Sequence, residues 1–240
     1  MDMNDKVART AGLLYLIVVV AAIFGDLYVP SQVIVRGDAF ATANNILASE
    51  SLVRLGIATG LIAATAFLLL PFVLYRLLQQ VDRNLAVLMV VFAAASVPIS
   101  FVNKAHYLDV LSLLSGADYL RAFTTEQLHA QVMLSLKASA NGALVAELFW
   151  GLWLLPFGYL VFKSGFLPRI LGILLMIGCF GYLTDSFARM LFPAGYAEAA
   201  ISNYMIIPSA LGEVGICLWL LIMGARTPTR SVAGHSGDKQ

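Results

Sequence analysis

The 240-residue chain has 60% hydrophobic residues, 12% charged residues and a net charge of +1. Soluble domains have about 45–50% apolar and about 25% charged residues, so this composition excludes an ordinary soluble domain and indicates an integral membrane protein. The low net charge and the lack of a long basic run exclude the electrostatic signature of a nucleic-acid-binding protein.

Six apolar stretches are long enough to cross a hydrocarbon core of about 30 Å, which takes roughly 20 helical residues. They predict a bundle of six transmembrane helices, with spans near residues 11–30, 52–78, 85–108, 139–162, 167–190 and 204–225. The first stretch resembles a signal peptide in length, but no convincing A-x-A cleavage site follows it, so we interpret it as an uncleaved span. Residues 1–10 would then form the amino-terminal segment and residues 226–240 a disordered tail.

The connection after the first span predicts a short amphipathic helix on the outer surface. Asp38 is a good N-cap residue, and Phe40, Ala43 and Leu47 would lie on one side of the helix that follows it. The helix therefore completes the expected fold class, an all-α integral membrane protein.

The connection before the fourth span predicts a second helix start. Thr124 and Gln127 have the spacing of a capping box. A helix running unbroken over residues 125–163 would be about 58 Å long, nearly twice the core thickness. It must either project from the membrane or bend, and we favour a bend at Asn141 and Gly142, where glycine lowers helix propensity.

The distribution of Lys and Arg predicts the orientation. With both termini in the cytoplasm, the cytoplasmic side holds nine Lys and Arg against four acids, and the other side holds six against ten. The positive-inside rule favours this arrangement. We therefore expect a multi-pass protein of the cell inner membrane.

Polar side chains within the spans predict a layer in the outer third of the membrane. At 1.5 Å per residue, Asp185 lies about 25 Å above Pro168, and Asn103 lies at a similar height. An acid deep in hydrocarbon costs about 2.5–3.5 kcal/mol, so Glu147 and Glu213 should face the bundle interior and have partners. Eight residues are expected to form an outward-facing pocket: Asp185, Arg189, Glu213, Glu147, Lys104, His106, Asn103 and Arg54.

In this pocket, we expect Arg189, Lys104 and Arg54 to offset Asp185, Glu147 and Glu213. The alternative is that charges near the interface only end their helices and extend to water. An exposed Asp185–Arg189 pair would then be worth a few tenths of a kcal/mol. The same alternative applies to Asp26, Arg54, Lys104 and Asp109.

Three kinds of function remain open. The favoured one is binding, or gated passage, of a small polar or zwitterionic ligand. The second is an accessory or regulatory membrane subunit whose ion pairs hold its helices together. The third is an intramembrane enzyme in which Glu213, Glu147 or Asp185 acts as acid or base, with His106 and a metal as further candidates. The sequence leaves catalysis undecided but favours a non-enzymatic function.

No cofactor is expected from the sequence. The chain has three histidines, and only His106 maps to the polar layer, which excludes a multi-histidine zinc site and leaves a carboxylate-rich metal site as an alternative. Cys179 and Cys217 lie in apolar segments, where packing is the expected role. The expected partners are membrane lipids and a small polar ligand, with a homodimer as an option through the Gly-x-x-x-Gly face of Gly56 and Gly60, although an intramolecular contact there is favoured.

Four segments carry a resemblance that covers roughly residues 6–225: KVARTAGLLYLI, RGDAFATANNILASESLVRLG, LYRLL followed by VDRNLAVLM, and GLWLLPFGYLVFKSGFLPRILGILL. In these segments the chain resembles the bacterial membrane family known as domain of unknown function 4386. The most specific piece is a hairpin in which Gly165 lets the chain reverse and Pro168 starts the next helix. Lys163 and Arg169 flank it, either as simple contacts to anionic lipid or as a phospholipid headgroup site. The resemblance implies a polytopic inner-membrane protein and no particular activity.

Overall fold

The computed structural model describes residues 3–193, 195 and 204–225. Within these residues the chain is helical and contains no strand, which confirms the all-α fold class. Seven α-helices are found in this part of the chain: α1 (Met3–Val33), α2 (Ala39–Ala48), α3 (Glu50–Leu78), α4 (Arg83–Leu113), α5 (Thr125–Lys163), α6 (Arg169–Leu191) and α7 (Ile207–Ile222). A 3₁₀ turn, Asp118–Ala122, joins α4 to α5.

Five of these helices, α1, α3, α4, α5 and α6, are long and apolar enough to cross a membrane. Helix α7 is apolar but has only 16 residues, about 24 Å of helix. The chain is therefore a multi-pass membrane protein, while the six-span count stays a prediction. Arg9 Nη1 donates to the carbonyl of Leu221 at 3.3 Å, so α1 begins where α7 ends. We call this the termini end of the bundle.

Side-chain caps start several helices where the sequence predicts them. Asp38 accepts a hydrogen bond from the Ala41 amide at 2.8 Å, and α2 follows it as expected. In this short helix Ala43 is buried, whereas the Phe40 and Leu47 side chains are exposed. The predicted capping box is also present: the Thr124 hydroxyl accepts from the Gln127 amide.

The long helices pack in a closed ring. Each packs on the next in the order α1, α3, α4, α5, α6 and α7, and α7 returns to pack on α1. The ring is filled toward the termini end by a hydrophobic core around Trp153. The Trp153 ring lies 5.1 Å from Phe67 and 5.1 Å from Phe157, centroid to centroid, and 6.0 Å from Tyr15. Because these residues come from α1, α3 and α5, one aromatic cluster ties three helices together.

A second, smaller hydrophobic core lies at the opposite end. It joins the end of α1 to the start of α3, the end of α4 and the start of α5, through Val29, Val53, Val110 and Val132. Helices α6 and α7 contribute nothing to it among the described residues. The two cores leave a zone between them on the inner face of the ring.

Helix α5 runs from Thr125 to Lys163 without interruption. The predicted bend at Asn141 and Gly142 is thus not accompanied by any break in helical structure. The structure gives Gly142 a different reason: a Cβ at this position would collide with Oδ1 of Asn103 on α4. The glycine lets α4 and α5 approach closely and makes room for a buried amide.

Candidate functional site

Buried polar residues occupy the zone between the two hydrophobic cores. On α4, Asn103 and Lys104 lie between Val97 of one core and Val110 of the other, and only 8% and 7% of their surfaces are exposed. On α5, Glu147 lies between Leu136 and Trp153 and is 6% exposed. We call these buried polar residues between the two cores the interior layer, and its depth in the outer third of the membrane stays a prediction.

The first cluster of this layer contains two acids and one arginine. Arg189 forms an ion pair with Asp185 on its own helix, α6, and its Nη2 lies 3.5 Å from Oε1 of Glu147 on α5. The side chains of Asp185 and Glu147 are only 6% and 8% exposed, whereas that of Arg189 is 50% exposed. One guanidinium thus reaches from outside the ring to two buried carboxylates, and the Glu147 contact is the looser one.

Ser186 adds a hydroxyl to this cluster. Its Oγ is fully buried and interacts with the Glu147 carboxylate, but it makes no hydrogen bond of ordinary geometry to any residue the structure describes. Buried hydroxyls are normally hydrogen-bonded, because leaving one unpaired costs about 1–3 kcal/mol. The cluster therefore retains hydrogen-bonding capacity beside Glu147.

The second cluster pairs Lys104 with Asp26. Asp26 lies in Ile23–Tyr28, a π-helical turn within α1, and forms an ion pair with Lys104 of α4. The lysine side chain is 9% exposed and the aspartate 46%. Such turns insert an extra residue into a helix and change which side its residues face. This change brings Asp26 to Lys104, whose ammonium also lies 5.5 Å from the centre of the Tyr107 ring.

Glycines make the space for this pair. A Cβ on Gly25 of α1 would lie 2.7 Å from the carbonyl oxygen of Gly56 on α3, and a Cβ on Gly60 would collide with the Lys104 side chain. A Cβ on Gly56 would itself lie 2.9 Å from Val29. The small-residue face of α3 is therefore occupied within the chain, as the intramolecular interpretation expects.

The third cluster surrounds Glu213 with tyrosines. Tyr15 of α1 donates a hydrogen bond to Glu213 Oε2 at 2.7 Å, and Tyr182 of α6 donates to Oε1 at 3.3 Å. No Lys or Arg forms an ion pair with Glu213 in the part of the chain that the structure describes. The carboxylate therefore joins three helices, α1, α6 and α7, through neutral donors.

The remaining predicted residues lie apart from these clusters. Arg54 pairs with Glu50 at 2.7 Å, and their side chains are 60% and 48% exposed, so this is a solvent-accessible or headgroup-level pair at the start of α3. His106 Nδ1 lies 3.4 Å from the exposed carboxylate of Asp109, one turn along α4. Asn103 is buried against Gly142.

The structure thus divides the eight predicted residues among separate places. It brings together Asp185, Arg189 and Glu147, but it pairs Lys104 with Asp26 and Arg54 with Glu50 rather than with the predicted acids. Glu213 is held by tyrosines and not by Arg189. Four contributors to the clusters lie outside the predicted eight: Tyr15, Tyr182, Ser186 and Asp26. The hydroxyl of a tyrosine in an apolar run was the available signal for Tyr15.

Metal chemistry gains no support from the described residues. They contain no group of three or more His, Cys, Asp or Glu side chains arranged to hold a metal ion. Cys179 and Cys217 are both free and buried, as the packing interpretation expects. Carboxylates, one guanidinium, one ammonium and several hydroxyls are the chemistry that the interior layer offers.

The comparisons with known proteins agree with the resemblance seen in the sequence. The model of the family described as "Domain of unknown function (DUF4386)" matches residues 10–224. An uncharacterized protein of Archaeoglobus fulgidus is 28% identical over 155 residues, which cover 64% of this chain and 74% of that protein. No solved structure matches. Because the family model matches most of its length, the chain belongs to the DUF4386 family.

Proposed function

We propose that this DUF4386 protein binds a small zwitterionic ligand at the Glu147–Arg189–Asp185 cluster and does so from the outer side of the cell inner membrane. In this proposal both termini are cytoplasmic, as the Lys and Arg distribution favours. The observation that carries the proposal is the sharing of one half-exposed guanidinium by two buried carboxylates.

Charge complementarity defines the ligand class. Arg189 is half exposed, so an anionic group arriving from outside the ring can reach its free N–H donors. Glu147 lies behind it, held only at 3.5 Å, with the Ser186 hydroxyl beside it. A cationic group on the same ligand can meet the Glu147 carboxylate. A zwitterion satisfies both charges at once, whereas a simple anion leaves the second acid uncompensated.

The cost of burying acids supports a functional role. Placing a carboxylate within the hydrocarbon core costs about 2.5–3.5 kcal/mol of insertion free energy, and this applies to both Glu147 and Asp185. If the charges served only to hold α5 to α6, an apolar contact of the same volume would do so as well or better. The accessory-subunit function remains the second candidate because Asp185 and Lys104 each already have an ion-pair partner within the chain.

Mass spectrometry of small molecules that co-purify with the protein tests the proposal. The decisive variant is Glu147→Gln, which keeps the size of the side chain and removes its charge. Its matched control is Glu50→Gln, which removes an acid of the exposed Arg54 pair. We expect a bound zwitterion in the wild type and in Glu50→Gln, and its loss in Glu147→Gln.

A third variant separates the clusters. Glu213→Gln keeps an acceptor for Tyr15 and Tyr182 and removes none of the contacts among Asp185, Arg189 and Glu147, so the bound species should remain. Loss of the ligand in Glu213→Gln alone would move the site to the tyrosine cluster. Identical spectra for all variants would favour the accessory subunit instead.

A further inference from the structure

A groove of about 490 Å³ lies at the termini end, away from the Glu147 cluster. One wall is the connection between α3 and α4, through Gln80 and Asp82, and the other is the end of α5 and the turn after it, through Tyr159, Lys163 and Phe166. Its volume falls within the roughly 300–1,000 Å³ of small-molecule sites. Because Lys163 ends α5, the groove lies at the level where lipid headgroups meet a membrane helix.

We propose that this groove binds the headgroup of a phospholipid that carries a primary ammonium, such as phosphatidylethanolamine. The groove offers both a cation and an anion: Lys163 for the phosphate and Asp82 for the ammonium. Neither residue forms an ion pair among the residues that the structure describes, so both charges are available to a ligand.

The hydrogen bonds already made inside the groove define what remains free. Asp82 Oδ1 accepts from the Leu85 amide at 3.0 Å, which leaves Oδ2 as an acceptor. Gln80 Nε2 donates to the Leu77 carbonyl at 2.9 Å, which leaves its Oε1 as a second acceptor. A primary ammonium has three N–H donors for these oxygens, whereas a quaternary ammonium has none. The acceptors therefore favour ethanolamine over choline headgroups.

Two features point to a lipid rather than a soluble molecule. Tyr159 and Leu155 lie one helical turn apart on α5, and 40% and 41% of their surfaces are exposed, so they form an apolar track from the groove along the helix. Lys163 lies 5.9 Å from the centre of the Tyr159 ring, which places a cation and an aromatic side chain together, as at membrane interfaces.

The turn beside the groove is built independently of any ligand. Ser164 Oγ donates to the Val161 carbonyl and accepts from the Leu167 amide, and Gly165 has φ +74°, which favours glycine. Removing the charge of Lys163 or Asp82 should therefore leave this turn intact. Asn is as good an N-cap as Asp, so Asp82→Asn should also preserve the start of α4.

Native mass spectrometry with added phosphatidylethanolamine, phosphatidylcholine and phosphatidylglycerol of identical acyl chains tests the inference. In the wild type we expect phosphatidylethanolamine to bind about tenfold more tightly than phosphatidylcholine, the effect of a charge-assisted hydrogen bond to Asp82. Asp82→Asn should abolish this preference. Asp38→Asn, the same change at the N-cap of α2, should keep it. Lys163→Gln should weaken binding of all three phospholipids, whereas Lys137→Gln, far along α5, should not.

Two results would overturn the inference: equal binding of ethanolamine and choline lipids to the wild type, or a preference that survives in Asp82→Asn. Gln80→Met is a second variant: it removes the Gln80 Oε1 acceptor and leaves the Asp82 N-cap of α4 unchanged, so it should also weaken the preference for phosphatidylethanolamine. Soluble phosphoethanolamine should displace the lipid only at far higher concentration, because it lacks the acyl chains that lie along Leu155 and Tyr159. Displacement at equal concentration would show that the occupant is not a lipid.

Discussion

The Asp185–Arg189 pair and the Glu50–Arg54 pair have the same spacing and the same order of acid and arginine, but they differ in burial. The Glu50 and Arg54 side chains are 48% and 60% exposed, so their coupling should be at most about 0.5 kcal/mol. The Asp185 side chain is only 6% exposed while Arg189 is 50% exposed. Breaking a fully buried pair costs about 3–5 kcal/mol, so a half-exposed partner should reduce the coupling to about 1–3 kcal/mol.

The two single variants should also differ from each other. Asp185→Asn leaves Arg189 in contact with Glu147 and with access to solvent, so the free energy of unfolding should fall only slightly. Arg189→Gln leaves Asp185 and Glu147 without the guanidinium that both of them contact, so it should be the more destabilising change. The structure therefore predicts an asymmetry that a solvated helix end would not show.

Chemical denaturation in mixed micelles, followed by circular dichroism, measures the free energy of unfolding for both double-mutant cycles. The first cycle uses Asp185→Asn, Arg189→Gln and their combination, and the second uses Glu50→Gln, Arg54→Gln and their combination. Equal coupling energies in the two cycles, or an Arg189→Gln variant no less stable than Arg54→Gln, would refute the burial argument and remove the main support for a ligand site.

Three further outcomes are expected. Reporter fusions at Gln240, which lies outside the described residues, and at Ala117 should report the cytoplasm and the outer side, respectively; a fusion at Gln240 that reports the outer side would contradict the proposed orientation. Gly12→Ala should reduce the free energy of unfolding by about 1–3 kcal/mol, because its Cβ would lie 2.5 Å from the Leu221 amide nitrogen. Gly195→Ala should be nearly neutral, because its Cβ would lie within 4 Å of no atom of the described residues beyond its immediate chain neighbours. Trp153→Ala should cost about 3–5 kcal/mol by the same denaturation assay, since the indole fills the centre of the core, and a cost below 1 kcal/mol would show that the ring of helices is not filled as described.

The elements of the fold that follow from local sequence could be predicted. Composition and the length of the apolar stretches predict a membrane bundle, because the bilayer thickness sets helix length. Asp38 and Thr124 mark their helix starts, because a cap needs only residues within one turn. Residue counting places Glu147 and Lys104 inside their helices rather than at the ends, and both side chains are buried.

Partner choice within that layer could not be predicted, because it depends on how each helix is rotated about its axis. The π-helical turn Ile23–Tyr28 carries no clear sequence signal, yet it is part of the helix that presents Asp26 to Lys104. Glu213 accepts from Tyr15, 198 residues away, and nothing near either residue indicates that pairing. Helix propensity, which describes an isolated helix, predicted a bend at Gly142. In the folded chain the glycine instead makes room for the Asn103 side chain of the neighbouring helix.

Helix α6 contributes to two of the three interior clusters, those of Glu147 and Glu213, whereas α1 contributes to those of Glu213 and Lys104. Tyr182 donates to Glu213 on α7, and one turn further on Asp185 and Arg189 meet Glu147 on α5. These three residues of α6 lie on one face, since they recur at helical spacing. A rotation of α6 that moved Arg189 away from Glu147 would therefore also change the distance between Tyr182 and Glu213. If a ligand engages Arg189, its effect on the rest of the bundle should pass first to α7, whereas the Asp26–Lys104 pair, held by α1 and α4 against the glycines of α3, should stay in place.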